Sequence, residues 1–105
     1  MPSAFLLMLV LSCAPAMADV PPERAVALKH MVTQDCGSCH GLTLKGGLGR
    51  PLTAEALAHA EPDGLATIIL DGIPGTAMPP WRPLLTDDEA LWIAQYLLKA
   101  KDPTQ

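Results

Sequence analysis

The chain has 105 residues, of which 50% are hydrophobic and 4% aromatic, and its formal net charge at pH 7 is −4. This length fits one small domain, and the acidic balance argues against nucleic-acid binding and against a basic membrane contact. Because large aromatic side chains are scarce, we expect a metal, a disulfide or a cofactor to complete the core of so small a domain.

Residues 1–18 have the pattern of a secretory signal peptide. An apolar run, Ala4–Leu11, precedes the small-residue pattern Ala16-Met17-Ala18, so cleavage is expected before Asp19. The run is shorter than the roughly 20 residues that span a bilayer, which argues against a membrane anchor. Cleavage would leave residues 19–105 as a single domain in the periplasm, without stable membrane insertion.

A lipoprotein signal is the alternative that this segment leaves open, because the residues leading to Cys13 resemble an imperfect lipobox. Acylation of Cys13 would tether the protein to a membrane. If the signal is instead removed after Ala18, Cys13 leaves with it. Cys36 and Cys39 are then the two cysteines of the mature chain.

The mature chain opens with a predicted helix over Glu23–Asp35. Leu28, Met31 and Val32 fall at helical spacing, and Pro22 suits a position in the first turn. The cysteine-containing segment that follows would therefore lie at the C-terminal end of this helix.

The middle of the chain alternates between loops and short helices. Gly41–Pro51 holds four glycines and no regular period, which predicts a loop. Short helices are predicted over Thr53–His59 and Asp63–Leu70, each capped by its first residue. Ile73–Leu85 contains four prolines, so we expect an irregular but stiff connection.

The last predicted helix opens with a capping box at Thr86–Glu89 and runs to about Lys101. Its acidic first turn and its terminal lysines suit the helix dipole. No stretch of the mature chain alternates with period two, so the sequence predicts an all-α fold with three to five helices.

Residues 36–40 read Cys-Gly-Ser-Cys-His, the C-x-x-C-H signature of covalent haem attachment. The thiols of Cys36 and Cys39 can each add to one vinyl group of a haem, and His40 then reaches the iron from one side. One haem c is therefore the predicted cofactor. It would also supply the large apolar body that the core lacks.

A dithiol, a zinc site and a disulfide each fit this motif less well than a haem does. A thioredoxin-like dithiol needs a βαβ context, which the helical pattern does not provide. A structural zinc site needs a second pair of ligands, and His30 and His59 have no zinc-site spacing. A disulfide between Cys36 and Cys39 would give no role to the adjacent His40.

The second axial ligand decides between an electron carrier and a haem enzyme or gas sensor. Met78 lies in a loop rich in glycine and proline, far enough after His40 to return on the opposite face of the haem. The two prolines that follow restrict its backbone, so little entropy is lost when the thioether binds. His59 remains a rival ligand, whereas we expect Met31 to pack in the core and His30 to face solvent.

These features resemble the small monohaem class I cytochromes c, and the resemblance spans essentially the whole mature chain. It rests on the C-x-x-C-H motif, on Met78-Pro79 and on a C-terminal helix that carries aromatic residues. Two stretches, Asp35–Gly49 and Asp71–Trp81, more narrowly resemble the small cytochromes c encoded with the haem-cd1 nitrite reductase of denitrifying bacteria. The resemblance implies the class I cytochrome c fold, with its helices wrapped around one covalently bound haem.

The resemblance also implies roles for residues around the haem. In the family, a proline carbonyl after the motif accepts the Nδ1–H of the iron-bound histidine, and Pro51 matches that position. Arg50 interrupts the usual Gly-Pro pair. Trp81 and Arg82, just after the ligand loop, are candidates for hydrogen bonds to the haem propionates, with Arg50 as a third.

With His40 and Met78 both bound, the iron would have no open position, so the predicted function is electron transfer and not catalysis. The resemblance implies a place in denitrification, either as electron donor to the haem-cd1 nitrite reductase or in the maturation of its haem d1. The expected partners are redox proteins, which a monomer would meet through small, transient contacts. Two alternatives stay open: a haem enzyme or ligand sensor with a displaceable Met78, and a haem subunit of a larger complex.

Overall fold

The computed structural model describes residues 3–11 and 18–99. Residues 3–11 form neither helix nor strand, and their large apolar side chains are exposed and take no part in the core. Cys13 and most of the predicted cleavage site lie outside the described residues, so cleavage and acylation both stay predictions. None of the described helices is long and apolar enough to cross a membrane.

Three helical segments form the described fold, and no strand occurs within residues 3–11 and 18–99. The first runs without a break from residue 22 to residue 40. The all-α prediction is confirmed, and three segments lie within the expected range. In chain order the elements are α1 (Pro22–Met31), a π-helical stretch (Val32–Cys36), α2 (Gly37–His40), α3 (Pro62–Asp71) and α4 (Asp87–Lys99).

The first helical segment extends further than the sequence predicts. The predicted helix stops at about Asp35, whereas the observed one continues through the cysteine motif to His40. Gly37 N–H donates to the carbonyl of Val32, five residues earlier, so this turn is wider than an α-helical one. π-Helical turns are frequent at functional sites. Here the turn leads the helix directly into the motif, so one rigid element carries both cysteines and the histidine.

The segment predicted as a helix over Thr53–His59 contains only turns, and that prediction is wrong. The Thr53 hydroxyl accepts the N–H of Ala56 at 3.2 Å, and the Thr53 carbonyl accepts the N–H of Leu57 at 3.0 Å. Nucleating a helix is unfavourable, and a run this short adds too few hydrogen bonds to offset the nucleation cost. The chain therefore passes through successive turns before it enters α3.

The N-cap of α3 lies two residues earlier than predicted. Pro62 occupies its first position and Glu61 the N-cap, so Asp63 lies inside the first turn and does not cap the helix. Proline suits the first position because the N–H that it lacks would have no partner there. The helix ends at Asp71, directly before Gly72, as the sequence predicts.

The core lies where α3 packs on α4 and where α1 contacts α4. Its buried side chains are all apolar, and no polar or charged side chain in the described part of the chain is buried. Trp92 and Tyr96, one turn apart on α4, stack at its margin with ring centroids 5.1 Å apart. The buried apolar residues are Leu28, Val32, Leu44, Leu65, Ala66, Ile69, Leu70, Leu85, Ala90, Ile93, Ala94 and Leu97.

One side chain, Glu89, joins the start of α4 to α1. The predicted capping box is confirmed, because Thr86 N–H donates to Glu89 Oε1 at 2.9 Å and Glu89 N–H donates to Thr86 Oγ1 at 3.1 Å. The second carboxylate oxygen pairs with the Arg24 guanidinium. Hydrogen bonds from Arg24 and from the Thr86 backbone hold the pKa of Glu89 below its ordinary value. α4 continues to Lys99, and its predicted end at Lys101 lies outside the described residues.

We expect Glu89→Ala to destabilise the holoprotein by about 1 kcal/mol at pH 7, because it removes both the cap and the ion pair. Glu89→Gln is the matched control, since its amide oxygen keeps the cap while the charge is lost. The folded pKa is lowered, so the charge contributes fully above the ordinary pKa and is lost as the pH falls through the folded value. Denaturant unfolding at pH 7 and at decreasing pH measures both effects. Equal destabilisation by the two variants at every pH would contradict this role.

Candidate haem site

The two cysteine thiols of the motif are unpaired and differ in exposure. Cys39 is exposed, whereas Cys36 is half-buried against the core. Burial raises the pKa of the Cys36 thiol to about 11, and the neighbouring Asp35 carboxylate adds to the rise. Ser38, between the cysteines, donates its hydroxyl to the Asp35 carbonyl at 2.7 Å. Among the described residues no three His, Cys, Asp or Glu side chains are grouped as a metal site requires, so a zinc site gains no support.

The His40 ring is oriented by a hydrogen bond to the loop that follows it. Its Nδ1 lies 2.7 Å from the carbonyl oxygen of Arg50. A carbonyl can only accept, so Nδ1 carries the hydrogen and Nε2 is the nitrogen left to bind iron. The sequence predicts the carbonyl of Pro51 as the acceptor, which is wrong by one residue. Gly49 lies directly against the ring, and the carbonyl of the residue after it is the one that reaches Nδ1.

The loop Gly41–Pro51 closes back on the last turn of the first helical segment. Gly46 and Gly49 donate their N–H groups to the carbonyls of His40 and Cys39, at 2.8 and 2.7 Å respectively. Carbonyl groups at the helix end are thereby satisfied. A Cβ on Gly49 would lie 2.8 Å from both Nδ1 and Cε1 of His40. The loop backbone therefore reaches the imidazole because residue 49 has no side chain.

Leu44 anchors this loop in the core. Its side chain is fully buried although its backbone has a φ of 58°, a region that bulky residues rarely adopt. Leu44 N–H donates to the Gly41 carbonyl at 2.8 Å, and the Leu44 carbonyl accepts the N–H of Leu52 at 2.9 Å. Sequence reasoning missed Leu44, because one leucine among several in a glycine-rich loop gives no distinguishing signal.

Met78 is half-buried in a loop, residues 72–82, that folds back on the end of α3; we call it the Met78 loop. The Met78 carbonyl accepts the N–H of Ile73 at 3.2 Å, and the Met78 N–H reaches the Thr76 hydroxyl at 3.3 Å. Further along, Trp81 N–H donates to the carbonyl of Ile69 in α3 at 3.1 Å. Backbone hydrogen bonds, as well as prolines, thus restrict the residue predicted to bind iron.

The other candidate residues for the second axial position lie outside the Met78 loop. His59 is exposed among the turns that precede α3, and His30 is exposed on α1. Met31 is half-buried on α1 and packs against the core. Their positions match the solvent-facing and packing roles expected of His30 and Met31.

The structure gives Arg82 a partner other than a haem propionate. One guanidinium nitrogen lies 2.7 Å from the Asp71 carboxylate and another 3.4 Å from that of Asp87, so the side chain links the end of α3 to the start of α4. Two carboxylates within its reach attract the exposed cation, and the hydrogen bond to Asp71 raises the pKa of Arg82 above its ordinary value. Trp81 is half-buried and packs against the core. The propionate roles of Trp81, Arg82 and Arg50 stay predictions.

These donors fit a covalently attached haem. Two unpaired thiols lie in the last turns of a rigid helix, and the imidazole that follows them is fixed through its Nδ1. A thioether lies in a loop that backbone hydrogen bonds restrict. Thiols for the vinyl groups, with an imidazole and a thioether for the iron, form the donor set of a His/Met c-type haem.

Comparisons with known proteins find cytochromes. Residues 23–97 match the family model described as "Cytochrome C oxidase, cbb3-type, subunit III". The chain is similar to "Cytochrome c55X" of Paracoccus denitrificans, with 59% identity over 90% of this chain and 93% of the relative. Among solved structures it is similar to a "c-type cytochrome NirC", with a TM-score of 0.74 and 46% identity over 76% of this chain and 94% of that one. It is also 33% identical, over 81% of its length, to the "Dihydro-heme d1 dehydrogenase" of Pseudomonas aeruginosa, of which it covers 16%.

A methyl group at residue 49 is expected to push the His40 imidazole away from the Arg50 carbonyl. Overpacking of this kind costs about 1–3 kcal/mol, so Gly49→Ala should lower the free energy of unfolding by that amount and disturb the histidine–iron bond. Gly64→Ala is the matched control, because nothing lies within 4 Å of a Cβ at that position of α3. Denaturant unfolding and the optical spectrum of the ferrous protein compare the two variants. If Gly49→Ala is as stable as Gly64→Ala and keeps the parent spectrum, the close contact does not position the ring.

Proposed function

This chain belongs to the small c-type cytochromes that include cytochrome c55X and NirC, and we propose that it is a periplasmic electron carrier whose iron is bound by His40 and Met78. As a member of that family it carries covalently bound haem c, for which Cys36 and Cys39 are the proposed attachment points. The relationship also identifies it as an electron-transfer cytochrome associated with denitrification.

The observation that supports a closed, six-coordinate iron is the restriction of the Met78 loop. Backbone hydrogen bonds hold the loop on α3, and two prolines directly follow the methionine. A ligand restricted in this way gains little conformational entropy when it leaves the metal. An iron with both axial positions filled offers no place for a substrate, which favours a carrier over an enzyme or a ligand sensor.

The haem, when bound, supplies an iron that alternates between the ferrous and ferric states. The residues of the chain tune that iron. The thioether of Met78 favours the ferrous state, which raises the reduction potential, and the Arg50 carbonyl makes the His40 imidazole a better donor. Because hydrogen bonds restrict the His40 ring and the backbone of Met78, these two residues would hold the iron with little rearrangement when its oxidation state changes.

Export to the periplasm is proposed from the first 18 residues and from the chemistry of the site, since covalent haem attachment of this kind is expected outside the bacterial cytoplasm. The mass of the purified mature protein tests this. A chain that begins at Asp19 would support a soluble periplasmic carrier. Acylation at Cys13 would instead support a haem subunit tethered to a larger membrane complex.

We propose that redox partners dock where the haem edge meets the surface, over Cys39–Leu44 and Ala77–Trp81. Cys39 and Leu42 are exposed there. The sequence resemblance gives two settings for this exchange, namely electron donation to the haem-cd1 nitrite reductase and the maturation of haem d1. Similarity to a protein named dihydro-heme d1 dehydrogenase supports the second setting.

Replacing Met78 by alanine is expected to abolish the weak far-red absorption that ferric iron shows when a thioether binds it. The ferrous parent should not bind carbon monoxide at neutral pH, because Met78 fills the position, whereas Met78→Ala should bind it readily. Met31→Ala is the matched control. It should cost some stability, since Met31 packs against the core, but it should keep both the absorption and the resistance to carbon monoxide.

Two results would overturn this ligand assignment. Rapid binding of carbon monoxide by the ferrous parent would support a sensor or an enzyme with a displaceable Met78. A parent that lacks the far-red absorption, and whose spectrum changes in His59→Ala, would assign the position to His59.

Stopped-flow mixing distinguishes the two proposed partners. A dehydrogenase releases electrons, so we expect the ferric protein to be reduced by dihydro-heme d1 dehydrogenase supplied with its substrate. This reduction should have a larger second-order rate constant than oxidation of the ferrous protein by the haem-cd1 nitrite reductase. The reverse order would assign direct donation to nitrite reductase, and no exchange with either protein would exclude both settings.

A further inference from the structure

Gly72 ends α3 and is buried beneath the Met78 loop. Its N–H donates to the carbonyl of Ile68 at 2.8 Å, and its φ is 66°. With a ψ of −168°, this conformation strongly favours glycine, which adopts it without the steric cost that a Cβ imposes.

The backbone of Met78-Pro79-Pro80 lies directly over Gly72. A Cβ at residue 72 would lie 2.6 Å from the carbonyl oxygen of Met78, 2.8 Å from the carbonyl carbon of Pro79 and 2.9 Å from the nitrogen of Pro80. All three are backbone atoms, so no flexible side chain can swing aside to make room. A residue other than glycine must therefore displace the backbone that carries Met78.

Neighbouring contacts limit how the loop could absorb such a displacement. On one side the Met78 carbonyl is bonded to Ile73 N–H at 3.2 Å, and on the other Trp81 N–H is bonded to the carbonyl of Ile69 in α3 at 3.1 Å. The two prolines between these bonds have fixed φ angles. Ile69 is itself part of the buried core, so α3 does not yield easily. The backbone of Met78 itself would therefore have to move.

We propose that Gly72 is the positioning residue for the sixth ligand: the absence of a side chain there lets the Met78 backbone lie on the end of α3 at the depth that brings the thioether to the iron. This inference rests on the proposed ligation by Met78. It predicts that a Cβ at residue 72 separates the thioether from the iron while Cys36, Cys39 and His40 still hold the haem.

Gly75 offers a matched control within the same loop. Its φ of 77° is also positive, but nothing lies within 4 Å of a Cβ built on it. Gly72→Ala and Gly75→Ala therefore both place a Cβ at a positive φ. Only the Cβ at residue 72 collides with the Met78 backbone. The difference between the two variants therefore measures the effect of that collision.

The experiment compares the ferric far-red absorption and the carbon monoxide binding of the ferrous form in the holoproteins of the parent, Gly72→Ala, Gly75→Ala and Met78→Ala. We expect Gly72→Ala to lose most of the absorption and to bind carbon monoxide at neutral pH, as Met78→Ala does, while haem remains covalently attached. Gly75→Ala should keep the parent behaviour in both measurements. If Gly72→Ala does not fold, Gly72→Asn takes its place, because asparagine tolerates positive φ better and carries the same Cβ.

Three results would contradict this role, and they can be told apart. Retention of the absorption by Gly72→Ala, or by the asparagine variant, while Met78→Ala loses it would overturn the role of Gly72 alone. Equal loss in Gly72→Ala and Gly75→Ala would overturn it too, because backbone strain and not the contact would then be the cause. Retention by Met78→Ala would overturn ligation by Met78, and the inference about Gly72 with it.

Discussion

Both proposed iron ligands lie where the backbone approaches more closely than a side chain would permit, and the site depends on that constraint. The His40 ring lies against Gly49, and the Met78 carbonyl lies over Gly72. In each case a helix ends, the chain turns, and the returning backbone covers the helix end. The last carbonyls of each helix then accept hydrogen bonds from N–H groups of the loop that carries or orients a ligand. The same hydrogen bonds therefore pair the carbonyls at the helix end and hold the ligand in position.

The parts of this arrangement that depend on local patterns could be predicted from the sequence. The capping box at Thr86–Glu89 needs two residue types three positions apart, and the end of α3 needs a glycine after Asp71. The C-x-x-C-H motif similarly fixes its chemistry by spacing alone. Helical periodicity located α3 and α4 to within a few residues, because each buries an apolar face whose spacing the sequence displays.

The features that could not be predicted are a segment too short to form a helix and contacts between segments that the fold brings together. Thr53–His59 has the cap of a helix but too few residues to offset nucleation. The acceptor of the histidine proton is Arg50 and not Pro51, because Gly49 packs on the ring and determines which carbonyl comes within reach. The ion pairs of Arg82 with Asp71 and Asp87, which the fold brings together from the ends of α3 and α4, could not be predicted either. None of these contacts has a signature in residue spacing.

A carrier and a haem enzyme can share one donor set, and the difference lies in the freedom of the sixth ligand. If Met78 binds the iron, moving its backbone away from α3 would break the hydrogen bond between Ile73 and Met78 and expose the buried Gly72. The two prolines that follow Met78 have no N–H groups with which to form replacement hydrogen bonds. The restricted loop therefore favours the proposed six-coordinate iron, and electron transfer is the chemistry that needs no open position on such an iron.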